Sequence, residues 1–202
     1  MPEPVDHKRV LGLELPTDPR WVNMAEISLE DILTDHAFCE LKAASQCISL
    51  ISLYPHKTEL VEQVSPIVTE EWGHFRMVIK ELDDRGLKLG KQRKDIYVNE
   101  LLKFQKKGGS IDDRLLEKLM TFALIEARSC ERFRLLSLHI AEEELKDFYH
   151  KFMVSEAGHY KMFLELAKLY FGEKIALNRW KAYLEYEADL MQRLETRGDR
   201  MH

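Results

Sequence analysis

Two Glu-x-x-His motifs occur in the chain, Glu71-Trp72-Gly73-His74 and Glu156-Ala157-Gly158-His159. On a helix this spacing puts carboxylate and imidazole on one face, where both can hold the same metal ion. With 23 Glu and 8 His among 202 residues, about one such motif is expected by chance, so a single copy carries little weight. Placement makes the pair informative. Glu40 precedes Glu71 by 31 residues and Glu126 precedes Glu156 by 30. Glu40 and Glu126 are 86 residues apart, while the motif glutamates and the motif histidines are each 85 apart.

The elements that must position these residues read as helices. Gly and Pro are scarce between residues 21 and 195, and apolar residues recur three and four apart. A first helix is expected from about Leu29 to Leu53, opened by Ser28 and Asp31 as a capping pair and stopped by Pro55. A second runs from Thr58 to Arg85, kinked at Pro66 and ended by Gly86. A short basic helix spans Asp95 to Gln105. A third long helix runs from Asp112 to Ile140, and a fourth from Glu142 to Tyr170 with acidic residues at its positive end. A fifth runs from Gly172 to about Gly198. Glu40 and Glu71 each lie 14 residues from the ends of the first turn, and Glu126 and Glu156 lie 14 from the ends of the later one. At 1.5 Å per residue, all four carboxylates then sit roughly 21 Å above their turns. The expectation is one all-α domain over residues 1–202, a four-helix bundle with additional helices and an internal repeat (29–86 and 112–171).

Four glutamates and two histidines at one buried level form the ligand set of a carboxylate-bridged dimetal site. The competing view of each residue alone is a surface carboxylate or a satisfied core histidine. As a set, unpaired buried carboxylates would cost several kcal/mol each without a cation. By the usual pattern of such sites, Glu71 and Glu156 bridge while Glu40 and Glu126 are terminal. Mixed carboxylate and imidazole ligation suits iron or manganese, and the absence of Cys ligands disfavours structural zinc, so iron is expected. Ala43, Ala44, Ser129 and Cys130 lie one turn beyond the single glutamates. They either leave a cavity for oxygen and a substrate tip or simply permit close helix packing.

Composition narrows the class. The chain is 45% hydrophobic and 32% charged, with 9 Gly and 6 Pro, which argues against disorder and low complexity. No uncharged stretch approaches the roughly 18–20 residues of a membrane helix. The amino-terminal MPEPVDHKRV has no apolar signal region, so a cytoplasmic, membrane-free protein is expected. Cys39, Cys47 and Cys130 form no CxxC pair and fit reduced core thiols. A net charge of −5 weighs against indiscriminate nucleic-acid binding.

The segments Glu40-Leu-Lys-Ala-Ala-Ser, Glu70-Glu-Trp-Gly-His-Phe, Ile125-Glu-Ala-Arg-Ser-Cys-Glu-Arg-Phe and Ser155-Glu-Ala-Gly-His-Tyr resemble the tRNA 2-methylthio-isopentenyladenosine hydroxylases of the ferritin-like superfamily. The resemblance covers essentially the whole chain. It implies an oxygen-dependent diiron monooxygenase that hydroxylates the isopentenyl group of the adenosine 3′ of the anticodon. It also implies the tRNA anticodon stem-loop and an external electron-donor protein or reductase as partners. Glu40, Glu71, His74, Glu126, Glu156 and His159 are the carried-over ligands for two iron ions, with dioxygen as co-substrate. Alternatives are an iron-oxidising or peroxide-detoxifying ferritin-like protein, or a hydroxylase of a small molecule or quinone.

Lys88, Lys91, Arg93, Lys94, Lys103, Lys106 and Lys107 face only Asp95 and Glu100 within their segment, a local charge of +5. On charge alone this is equally a solvated loop or an RNA-backbone contact; the resemblance favours RNA. His36, one turn before Glu40, reads as an ordinary helix histidine, and Glu70, whose counterpart is Ser155, as a solvated carboxylate.

Overall fold

The computed structural model describes residues 11–202; the amino-terminal segment MPEPVDHKRV lies outside them. Among the described residues every regular element is helical: α1 (Trp21–Ile27), α2 (Leu29–Leu53), α3 (Thr58–Asp84), α4 (Ile96–Phe104), α5 (Ile111–His139), α6 (Glu143–Phe171) and α7 (Glu173–Arg193). The chain divides into two compact units. One is Arg20–Ile96 with Thr196–His202; the other is Tyr97–Glu195 with the segment ending at Pro19.

In the first unit α2 packs along α3, and α1 rests on α2. The buried positions of α3 are Leu60, Val64, Ile67, Glu71, His74, Val78 and Leu82, a single stripe spaced by three and four. Glu71 and His74 occupy places where the stripe would otherwise be apolar. Gly86 ends this helix at φ +68°, with Leu87 N–H donating to the Leu82 carbonyl and Gly86 N–H to that of Asp83. Pro66 lies within α3 without ending it.

Two expectations at the helix ends are corrected: Ser28 does not cap α2, and the last helix stops at Arg193 rather than near Gly198. The seven-residue α1 has too few turns to show a period. Ser28 precedes α2 without capping it through its side chain: it sits at φ −112° and ψ 38°, and its N–H donates to the Ala25 carbonyl of α1 at 3.1 Å. The reciprocal box forms at α5, where the Ser110 hydroxyl accepts from Asp113 N–H and Asp113 accepts from Ser110 N–H.

In the second unit α5 packs along α6, and α7 lies against both. The stripe of α6 runs Leu145, Phe148, Phe152, Glu156, His159, Phe163 and Leu166, again with the two polar residues in apolar register. Helix α5 is buried around most of its circumference, so Arg128, Glu131 and Arg132 lie in the interior as well as Glu126.

Candidate metal centre

In the first unit, Glu40 of α2 meets Glu71 and His74 of α3. His74 Nδ1 lies 3.4 Å from Glu40 Oε2 and 3.6 Å from Glu71 Oε2. Ligand atoms of all three fall within 4.8 Å of one another, and all three residues are buried. The other ring nitrogen, Nε2, faces Glu70 Oε1 at 4.0 Å. Glu70 itself is exposed, as expected for a solvated carboxylate.

His36 departs from its sequence reading. It is fully buried, and its Nε2 lies 2.8 Å from Glu40 Oε1. Burial, then the neighbouring His74, pushes its pKa well below the ordinary histidine value, so the ring is neutral. A neutral imidazole beside a carboxylate fixes its orientation without neutralising it. The signal in the sequence was its i−4 spacing from Glu40 on the core-facing stripe.

In the second unit, Glu126 of α5 meets Glu156 and His159 of α6. His159 Nδ1 is 3.5 Å from Glu156 Oε2, and the three residues present ligand atoms within 4.8 Å of one another. The far nitrogen, His159 Nε2, lies 3.5 Å from Ser155 Oγ. Both motif histidines therefore direct Nδ1 toward carboxylates and place an i−4 polar side chain beside Nε2. Each unit thus holds two buried carboxylates and one imidazole, the donor chemistry that suits a divalent iron or manganese ion.

Arg128 follows Glu126 by two residues and is fully buried. Its guanidinium donates to Glu187 of α7 (Nε, 2.8 Å), to Glu131 (Nη1, 3.0 Å) and to the Leu15 carbonyl (Nη2, 2.8 Å). Against the burial that disfavours its charge, Glu187 and Glu131 hold its pKa above the usual value. Glu131 also accepts from Thr17 N–H and Oγ1, at 2.9 and 2.7 Å. Arg132, buried beside Arg128, is pushed down to about 10 chiefly by burial. Sequence reasoning gave these residues no role.

Of the small residues, Ala44, Ser129 and Cys130 are buried. Cys130 donates to the Met153 carbonyl at 3.3 Å, which supports packing at that position. Burial pushes its thiol up to about 12, and Cys39 is likewise raised, so neither is an activated nucleophile. Cys39, Asp95 and His202 present ligand atoms within 4.8 Å of one another, with Lys42 Nζ 3.2 Å from Asp95.

In the basic segment, Lys88, Lys91, Lys94, Lys103, Lys106 and Lys107 are exposed. Arg93 is half-buried and donates to Asp31 and Asp199, both at 3.0 Å. No helix among the described residues is long and apolar enough to cross a membrane.

The solved structure of "Protein 43 with aldehyde deformylating oxygenase activity" from Synechococcus is similar to this chain with a TM-score of 0.87. It is 31% identical, covering 94% of each chain. The fold and the buried ligands define an all-α, ferritin-like helical-bundle protein with groups able to bind metal. The family model described as tRNA-(MS[2]IO[6]A)-hydroxylase (MiaE) matches residues 5–202, and the chain belongs to that family. It is 37% identical to the tRNA 2-(methylsulfanyl)-N(6)-isopentenyladenosine(37) hydroxylase of Pseudomonas putida over 161 residues, 80% of this chain and 77% of the relative. The enzyme of the same description from Salmonella typhimurium is 28% identical over 228 residues, 89% of this chain and 83% of that one.

Proposed function

We propose that this protein hydroxylates the isopentenyl group of 2-methylthio-isopentenyladenosine next to the anticodon of tRNA, as an oxygen-dependent diiron monooxygenase. The observation that carries the reading is the pair of matched, buried Glu plus Glu-x-x-His sets in a chain of this family. Glu40, Glu71, His74, Glu126, Glu156 and His159 would supply the ligands for two iron ions. In that role Glu71 and Glu156 would be the shared ligands and Glu40 and Glu126 the single ones. Four carboxylates in a dry interior are costly alone, and two divalent cations offset them. Such a centre, when ferrous, supplies reducing equivalents to dioxygen. One oxygen atom would enter a C–H bond of the isopentenyl group and the other would leave as water, with two electrons from an external reductase and two protons from solvent.

The chain's own residues prepare that chemistry. His36 orients Glu40, the Nε2 neighbours Glu70 and Ser155 flank the ligand imidazoles, and the apolar stripes around both sets exclude bulk water. Outside, the exposed lysines 88, 91, 94, 103, 106 and 107 contact anticodon stem-loop phosphates, while Arg93 orders the loop through Asp31 and Asp199. A tRNA substrate supports a cytoplasmic location.

Nucleoside analysis of tRNA from cells with and without the gene tests the assignment. Loss of the hydroxylated isopentenyl nucleoside is expected, and its retention in the deletion strain overturns the substrate. Replacing Lys91, Lys94, Lys106 and Lys107 with Ser is expected to flatten the salt dependence of RNA binding by about 0.7 in log–log slope per lost contact. An unchanged slope moves the RNA surface elsewhere.

A further inference from the structure

We infer that Trp72, backed by Phe75 and flanked by Arg76 on α3, is a stacking platform for a base of the anticodon loop, an inference that rests on tRNA being the substrate. Three tryptophans occur, and two are interior: Trp21 is 0% and Trp180 6% exposed, whereas Trp72 is 48% exposed. Leaving about half of an indole in water forgoes roughly 1 kcal/mol or more of burial. A single exposed apolar side chain needs no explanation, but this one is organised. Its ring stacks on Phe75 with centroids 5.2 Å apart and planes 28° from parallel, which limits rotation and leaves the outer face open.

Arg76 lies one turn on, at i+4 from Trp72, and is exposed with no ion pair among the described residues. Aromatic face and free guanidinium side by side match the two components of single-stranded nucleic acid, a base and its phosphate. The position matches the chemistry too. Trp72 follows ligand candidate Glu71 by one residue and so sits about 1.5 Å further along the helix axis. The indole thus stands at the height of the first ligand set, about 100° around the helix from Glu71.

The repeat supplies the contrast. The counterpart of Trp72 is Ala157, and that of Phe75 is Tyr160, which packs against Trp180 of α7 with centroids 5.6 Å apart. In the second unit the half-buried ring at this position leans on α7, and the neighbouring position carries only the methyl group of Ala157. In the first unit the half-buried Phe75 instead backs an indole that is itself exposed.

The test uses the iron-loaded protein and a synthetic anticodon stem-loop carrying the unhydroxylated isopentenyl purine. Titration is expected to quench tryptophan emission in the parent protein. In Trp72→Phe the quench disappears while affinity stays within about threefold, because a phenyl ring still stacks. In Trp72→Ala affinity falls about tenfold or more, KM for the stem-loop rises, and kcat at saturation, iron content and melting temperature stay unchanged. Arg76→Ser lowers affinity and flattens the salt slope by about 0.7. Parental affinity in Trp72→Ala, or a persisting quench in Trp72→Phe, overturns the platform while leaving the tRNA assignment standing. Failure of the parent protein to bind the stem-loop removes the assignment and the platform together. Emission that shifts with protein concentration alone, alongside a dimer on sedimentation, marks the face as a contact between copies and also overturns it.

Discussion

In the α2–α3 hairpin the lone glutamate, Glu40, is met one turn back by His36; in the α5–α6 hairpin the same place is taken by Phe122, packed edge-on against Phe163 at 5.4 Å. Two residues beyond each glutamate stands a cation. Lys42, its side chain 34% exposed, reaches Asp95 at 3.2 Å. Arg128, with none exposed, is gripped by Glu131 and Glu187. The ligand triplets match, yet their supports do not. Where α7 covers the hairpin, the cation is a planar guanidinium that fills several acceptors at once, and the glutamate's neighbour is a ring packed for volume. In the first unit a partly exposed lysine takes the cation's place, and the fully buried imidazole of His36 lies against the carboxylate. Equal offsets in a repeat therefore conserve the donor atoms, while each unit's packing chooses what holds them.

The largest expected effect ignores the asymmetry. Glu71→Ala and Glu156→Ala, one in each unit, should both cut iron from about two ions per chain to less than one and abolish hydroxylation. Full retention of two metals in either variant, by elemental analysis, removes the bridging assignment.

Arg128→Met sharpens the difference between the units. It strands Glu131 and Glu187 in the interior and should cost about 3–5 kcal/mol in urea unfolding. A loss no larger than that of an exposed pair would mean the buried network is not what holds α7 to α5. His36→Phe writes the second unit's choice into the first. Iron affinity should fall about 10–100-fold in chelator competition, with little loss of stability, because a neighbour that orients a ligand carboxylate is lost. Smallest is Lys42→Met, expected to cost less than about 1 kcal/mol, since solvent screens a partly exposed pair. A cost matching that of Arg128→Met would erase the proposed contrast in burial.

Much of this frame was legible along the chain. Helix α2 spans Leu29–Leu53 as its apolar spacing required, and Pro55 and Gly86 mark the ends of α2 and α3. The ligand candidates were legible because Glu71 and His74, like Glu156 and His159, stand in the register of an apolar stripe. The helix ends were less so. Ser28 and Asp31 have the spacing of a cap, but α1 runs directly into Ser28 and takes its N–H, while Asp31 accepts from Arg93, 62 residues away.

By itself, then, the sequence determined the helices, their pairing into hairpins and the repeated donor set. These follow from the 3.6-residue period and the rise per residue, which are properties of the local backbone. Only the tertiary structure decided that His36 faces Glu40, that Arg93 is bound to Asp31 and Asp199, and that Arg128 is sealed among carboxylates. It also decided that Trp72 stays open to solvent while Trp21 and Trp180 are buried. Partner and exposure depend on distance through space and on the water that remains, so residues far apart in the chain settle them when it folds.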